Sequence, residues 1–207
     1  MGKRIAIYLV GLAITSLGMA CIILTYIGAG PWDAVAVGFT NHLGLTIGFW
    51  SIVSQAMFIL VTWILERTRV RFDSIIPIVI RSCFLDIWIY FVLGNVHFSS
   101  SLESQWFTFI LGLVLAGLGM GIYLEAKFPK TPVDGLMVAI SNRFNWTLSK
   151  SRVGIEACGA MIGFLLGGPV GLGTVVIALF LGKIIQISNN RFKKILTMQT
   201  EAVKTNL

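Results

Sequence analysis

Two acids stand at matching places in this chain. Gly30-Pro31-Trp32-Asp33 and Thr131-Pro132-Val133-Asp134 each set an aspartate two residues after a proline, at the head of an apolar run. Proline is tolerated at the first position of a helix, and a carboxylate in the first turn complements the helix dipole. Both segments therefore read as helix starts, with Gly30 and Thr131 as N-caps. Capping alone would account for Asp33 and Asp134. A second reading gives them a ligand, because two half-helix N-termini entering a membrane from opposite sides can hold a solute.

Other polar side chains stand inside long apolar runs: Arg81, Asp86, Glu156 and Lys183, with the amides Gln55 and Gln186. A charge facing lipid costs several kcal/mol, so these groups are expected to face a bundle interior and find partners. Arg152 and Glu156 are i, i+4 and can pair on one helix face. Arg81 and Asp86 are five apart, and Asp86 needs a partner on another helix. Lys183 and Arg152 are near enough to the inner interface to snorkel. The set Asp33, Asp134, Gln55, Glu156, Arg81, Asp86, Gln186 and Arg152 could line a site for a small polar or zwitterionic solute. Glu156 or Asp86 would carry a proton or cation, and Arg81 would meet an anionic group. A structural ion-pair network would use the same residues.

The remaining chemistry is sparse. No Ser-His-Asp, paired-carboxylate or zinc spacing is visible, and His42 and His97 stand alone. Neither an enzyme, a metal nor a cofactor is expected. The glycines at 117–121 lie in an apolar run at the small-xxx-small spacing of close helix packing. Gly167–Thr174 resembles a phosphate loop without its lysine and reads as a turn before a helix. Cys21, Cys83 and Cys158 lie in apolar runs and are expected as buried thiols.

Positioning these residues requires a membrane. Of 207 residues, 56% are apolar and 12% charged, with a mean hydropathy of +0.86. Soluble domains hold about 45–50% and about 25%. The net charge of +7 lies in short connections between apolar runs, the pattern of loops facing anionic lipid. The lipid bilayer, not nucleic acid, is the expected partner. The Lys3-Arg4 start resembles a signal peptide, but a retained first span is expected because more spans follow.

Crossing takes about 20 apolar residues. Spans are expected at 5–27, 47–65, 74–94, 106–126, 153–172 and 174–188. Two segments, 31–42 and 132–143, would cover about 18 Å as helices and fall short of a core of about 30 Å. With the N-terminus inside, fourteen of the sixteen basic residues face the cytoplasm, and Arg81 and Lys183 lie within spans. Both termini are then cytoplasmic, with a basic tail at 191–207 on the inner surface.

The chain also resembles itself at a shift of 101 residues. Gly11-Leu12 meets Gly112-Leu113, Leu17-Gly18-Met19 meets Leu118-Gly119-Met120, and Pro31 and Asp33 meet Pro132 and Asp134. Val37, Asn41 and Thr46 meet Val138, Asn142 and Thr147. These ten identities in 36 ungapped positions are about three times what composition alone gives. Gln55 falls opposite Glu156, and with a one-residue slip Asp86 falls opposite Gln186. Three spans per repeat is an odd number, so the second repeat must enter from the opposite side. The expected fold is an all-α membrane protein with six transmembrane helices as two inverted three-helix repeats (1–98 and 99–190), each with a short re-entrant or broken helix.

In order along the chain, Gly28-x-Gly30-Pro31-Trp32-Asp33, Pro132-x-Asp134-Gly135-Leu136, Arg152-x-x-x-Glu156 and Gly167-Gly168-x-x-Gly171-x-Gly173-Thr174 resemble the YczE/YitT-type family of bacterial integral membrane proteins. The resemblance covers nearly the whole chain. It implies a multi-pass protein of the bacterial plasma membrane without an established biochemical activity, and it transfers no catalytic residues. Lys130-Thr131 stands where a second Gly-x-Gly would be, and Phe72-Asp73-Ser74 where a first Leu-Gly-Thr would be, so the two halves are not fully equivalent. The leading expectation is a small-solute secondary transporter or exporter with a midplane site between the repeats. The alternative is a non-transporting membrane partner that stabilises or regulates another envelope protein. A homodimer is a candidate assembly.

Overall fold

The computed structural model describes residues 2–67, 75–96, 101–126, 128 and 131–205. Arg69, Arg71, Phe72-Asp73-Ser74, His97, Lys127 and Lys130, on which parts of the expected topology rest, lie outside the described residues. Among the described residues there are eight α-helices and no strand: α1 (Gly2–Leu24), α2 (Pro31–Leu43), α3 (Ile47–Glu66), α4 (Ile75–Asp86), α5 (Leu102–Leu124), α6 (Pro132–Phe144), α7 (Leu148–Leu165) and α8 (Leu172–Thr205).

Local chemistry sets their ends. Pro31 and Pro132 open α2 and α6. The hydroxyls of Thr46, Ser101 and Thr147 accept the N–H groups of Phe49, Ser104 and Lys150 at 3.1, 3.2 and 3.2 Å, capping α3, α5 and α7. Arg67 and Asn145 end α3 and α6 in the left-handed region. The α4 helix passes into a π-helical turn, Ile87–Val92, where the Leu93 N–H donates to the Trp88 carbonyl at 2.8 Å.

The two short helices fall within a residue of the expected bounds. The last two spans differ. The α7 helix runs from Leu148 to Leu165 rather than over 153–172, because Thr147 caps it early and the chain turns at Gly167, with φ +67°. The α8 helix is one element of 34 residues, so the expected tail from 191 continues it rather than forming a separate segment. Among the described residues, five helices are long and apolar enough to cross a membrane: α1, α3, α4 with its π turn, α5 and α8. The α7 helix is not among them, since its 18 residues include Lys150, Arg152 and Glu156.

The centre of the bundle is the contact between α1 and α5. Gly11 packs on Gly119 and Tyr123, while Gly18 packs on Gly112 and Ala116, so the two helices run antiparallel. A Cβ at Gly11 would come 2.7 Å from the Tyr123 backbone nitrogen, and one at Gly112 would come 2.7 Å from the Gly18 carbonyl oxygen. Only glycine lets the backbones approach this closely, the usual means by which helices associate in lipid. Around this pair, α4 packs on α1 and α8 on α5; α2 packs on α7 and α3 on α6. The main apolar core, including Ile22, Val37, Leu85, Phe109 and Leu113, lies between them.

The α7 helix is the axis against which both short helices are set. Along α2, Trp32 meets Gly159, Ala34 meets Gly163, and Gly38 meets Leu166, so α2 runs parallel to α7 and its C-terminus passes the end of α7. The α6 helix runs the other way. Its Asp134 pairs with Arg152, and Phe144 at its C-terminus stacks near Trp146, just before α7 begins. A glycine-rich interlock holds one end. The Ala29 N–H donates to the Pro169 carbonyl at 2.7 Å, the Thr174 hydroxyl donates to the Ala29 carbonyl at 2.9 Å, and the Gly173 N–H donates to the Ile27 carbonyl at 3.3 Å. A Cβ at Gly28 would come 2.5 Å from the Thr174 nitrogen. The segment that resembled a phosphate loop is thus half of a backbone clasp.

Candidate functional site

Both short helices start against α7, α6 at Arg152 near its beginning and α2 at Gly159 past its middle. Asp33, on the first turn of α2, accepts from Arg81 Nη2 of α4 at 3.1 Å through Oδ1. Asp134, on the first turn of α6, accepts from Arg152 Nη1 of α7 at 3.2 Å, and Arg152 Nε also donates to Glu156 Oε1 at 2.9 Å. Arg152 and Gly159 mark the levels at which α6 and α2 begin. They are separated by about 10 Å along α7 at 1.5 Å per residue, and Glu156 lies between them. Arg152 links Glu156 to Asp134.

The two ends of this cluster differ in setting. The Asp33 and Arg81 side chains are 12% and 21% exposed, whereas Asp134, Arg152 and Glu156 are 36%, 45% and 31% exposed. Thr131 occupies the N-cap position of α6, but its hydroxyl donates to Asp134 Oδ2 at 2.8 Å rather than accepting a backbone N–H. Asp134 is thereby held by two side chains at once.

Several buried polar atoms nearby have no protein partner. Among the described residues these are Gln55 Oε1, Arg81 Nε, Trp32 Nε1 and the Tyr8 hydroxyl. Leaving such an atom unsatisfied costs about 1–3 kcal/mol. Two flank the ion pairs directly: Arg81 Nε belongs to the guanidinium that holds Asp33, and Trp32 precedes Asp33. The Trp32 ring packs edge-on against Phe58 at 4.5 Å, one helical turn from Gln55 on α3.

Two expected members stand apart. Asp86 does find a partner on another helix, but that partner is backbone: its Oδ1 accepts the Gly48 N–H at 2.7 Å, and the Tyr90 hydroxyl accepts the Ile47 N–H at 3.2 Å. Together these groups cap the start of α3. Gln186 is exposed on α8 and makes none of the bonds described above. Lys183, also exposed on α8, sits 5.9 Å over the Phe180 ring. Of the cysteines, Cys21 is buried as expected, but Cys83 and Cys158 are exposed on the outer faces of α4 and α7.

Tyr123 of α5 packs against α1, its ring meeting Tyr8 edge-on at 6.1 Å. A tyrosine in an apolar run reads as packing, and nothing in the sequence marks it out. Among the described residues no group of three His, Cys, Asp or Glu side chains could hold a metal ion.

Comparison with known proteins places this arrangement in a family. The model of a family of unknown function, DUF6198, matches residues 2–190. The uncharacterised protein YyaS of Bacillus subtilis is 33% identical over 180 residues, covering 87% of this chain and 89% of the relative. The uncharacterised membrane protein YczE of the same organism is 30% identical over 186 residues, covering 89% and 85%. An uncharacterised protein of Haemophilus influenzae is 31% identical over 188 residues, covering 91% and 84%. No solved structure matches. The resemblance to YczE read from the ordered motifs is borne out.

Proposed function

The chain belongs to the DUF6198 family of unknown function, and from the start of both short helices against α7 we propose that this membrane protein is a small-solute secondary transporter or exporter. Its site lies between two inverted repeats, at mid-depth, where the N-termini of α2 and α6 meet α7. The observation that carries this reading is that α2 and α6 both begin against α7, at Gly159 and Arg152, with Glu156 between these levels and paired with Arg152. Inversion is supported by the antiparallel contact of α1 with α5 and by the matched packing of α2 on α7 and α3 on α6. Each repeat contributes one helix of every such pair. The α7 helix, charged as it is, completes a sixth crossing. Its C-terminal end is clasped beside the end of α1, and its start lies beside the end of α6.

Exposure supports a wet site. Asp134, Arg152 and Glu156 are each about a third or more exposed, and such charges are too costly to face lipid. They face an aqueous hollow. Three carboxylates meet two guanidinium groups there, so the site carries a net negative charge and takes a cation, a proton or the ammonium end of a zwitterion. Arg81 Nε and Gln55 Oε1 supply a donor and an acceptor for the solute. The N- and C-termini face the cytoplasm of the bacterial plasma membrane.

The second reading, a non-transporting partner of another envelope protein, draws on one fact. Every ionised group of the cluster already has a counter-charge within the chain. The two readings part on Glu156→Gln. In proteoliposomes offered isotope-labelled amino acids and organic acids, the wild-type protein accumulates at least one of them. Glu156→Gln reaches wild-type abundance but accumulates none. Equal uptake by the variant, or no uptake by either, overturns transport through this site. Failure of the variant to fold would favour the structural reading.

A further inference from the structure

A trough of about 390 Å³ opens sideways between α3, α6 and α7. Its walls are stripes at helical spacing: Leu136, Ile140 and Phe144 on α6, Ser151, Ile155 and Cys158 on α7, with Met57, Phe58 and Val61 on α3. Trp32, beside Gly159, lies at one end of it, and Trp146, just before α7, at the other. The walls are almost wholly carbon. The one hydroxyl among them, that of Ser151, already donates to the Thr147 carbonyl at 3.2 Å. The unpartnered Trp32 Nε1 is the one buried donor at its wall.

From Leu136 to Phe144 the trough is about 12 Å long at 1.5 Å per residue. A narrow, apolar, membrane-facing slot suits a single hydrocarbon chain.

Charge at the lip selects the headgroup. The Lys150 ammonium sits 4.8 Å over the Trp146 ring, so it is fixed at the mouth. Arg143, exposed in the last turn of α6, precedes the lining residue Phe144. Tryptophan with basic neighbours is the usual composition of a membrane–water interface, and basic groups there attract anionic lipid.

We propose that this trough holds one acyl chain of an anionic phospholipid, with Lys150 and Arg143 on its headgroup phosphate. The chain reaches from the interface to Trp32, beside the charged cluster, and the assignment stands independently of any transport activity.

The test is photo-crosslinking of the full-length protein in nanodiscs. The probes are phosphatidylglycerol and phosphatidylcholine carrying a diazirine in the acyl chain, and labelled peptides are mapped by mass spectrometry. Phosphatidylglycerol should label residues of the 136–158 region about tenfold more than phosphatidylcholine, as two basic groups near the surface allow. Arg143→Gln with Lys150→Gln should abolish that preference while labelling of the trough persists. Gly154→Leu should remove trough labelling by both lipids. A Cβ at Gly154 meets only Trp146, at 3.7 Å, so a larger side chain enters open space. Should that variant not fold, Met57→Trp fills the slot from α3. Equal labelling by the two lipids in the wild type, or labelling unaffected by filling the slot, overturns the proposal.

Discussion

The aspartates that open α2 and α6 are mates in the internal repeat, yet the protein treats them differently. Asp33 is sunk between α2 and α4 with one guanidinium, and both side chains are about four-fifths or more covered. Asp134 shares Arg152 with Glu156, takes a hydroxyl from Thr131, and is over a third exposed. Their partners are not repeat mates, since Arg81 lies on α4 and Arg152 on α7. One half holds its acid in a mostly buried pair, and the other holds its acid in a shared, more exposed triad.

This contrast orders the expected effects of substitution. The largest belongs to Asp33→Ala, which leaves the Arg81 guanidinium buried and unpaired at a cost of about 3–5 kcal/mol. The variant should melt well below wild type in detergent, as read by fluorescence-detected size exclusion, or fail to accumulate. Removing both charges sharpens the point. Replacing a buried pair with apolar groups of similar size is often neutral, so Asp33→Leu with Arg81→Met should recover most of the lost stability. Failure of the double variant to recover would mean that the pair is not the source of the cost.

A smaller effect is expected outside the contrast. Asp86→Ala should lose only the cap on α3, about 1 kcal/mol, with the loss seen as a modest drop in melting temperature and no change in solute uptake. The smallest effect on stability belongs to Asp134→Ala. An exposed, shared pair contributes about 0–1 kcal/mol, so this variant should melt within a few degrees of wild type. Equal destabilisation by Asp33→Ala and Asp134→Ala would break the contrast.

Much of this arrangement was legible in the residues, and the reasons differ from group to group. The starts of α2 and α6 follow from proline and aspartate chemistry within five residues. The Arg152–Glu156 pair follows from helix periodicity. The Arg81–Asp33 pair does not, because its members are 48 residues apart and meet only through the packing of α4 on α1 beside α2. Asp86 reads as a candidate ligand until the start of α3 is known to lie against it. The length of α8 escaped because its apolar face ends near Ser188 while the helix itself continues through basic residues. The glycines at 11, 18, 112 and 119 stood out as a repeat, and their use as the antiparallel seam of the bundle follows from the need for close backbone approach in lipid.

A shared site between the repeats requires the two halves to enter the membrane from opposite sides. Leu43 and Phe144 are repeat mates at the C-termini of α2 and α6, and both are exposed. In a chain whose three native cysteines are replaced, Leu43→Cys and Phe144→Cys should be placed on opposite faces. A membrane-impermeant maleimide added to intact cells should label the cysteine at 43 directly, and the one at 144 only after permeabilisation. Labelling of both from the same side would contradict the inversion and remove the basis for a shared mid-depth site.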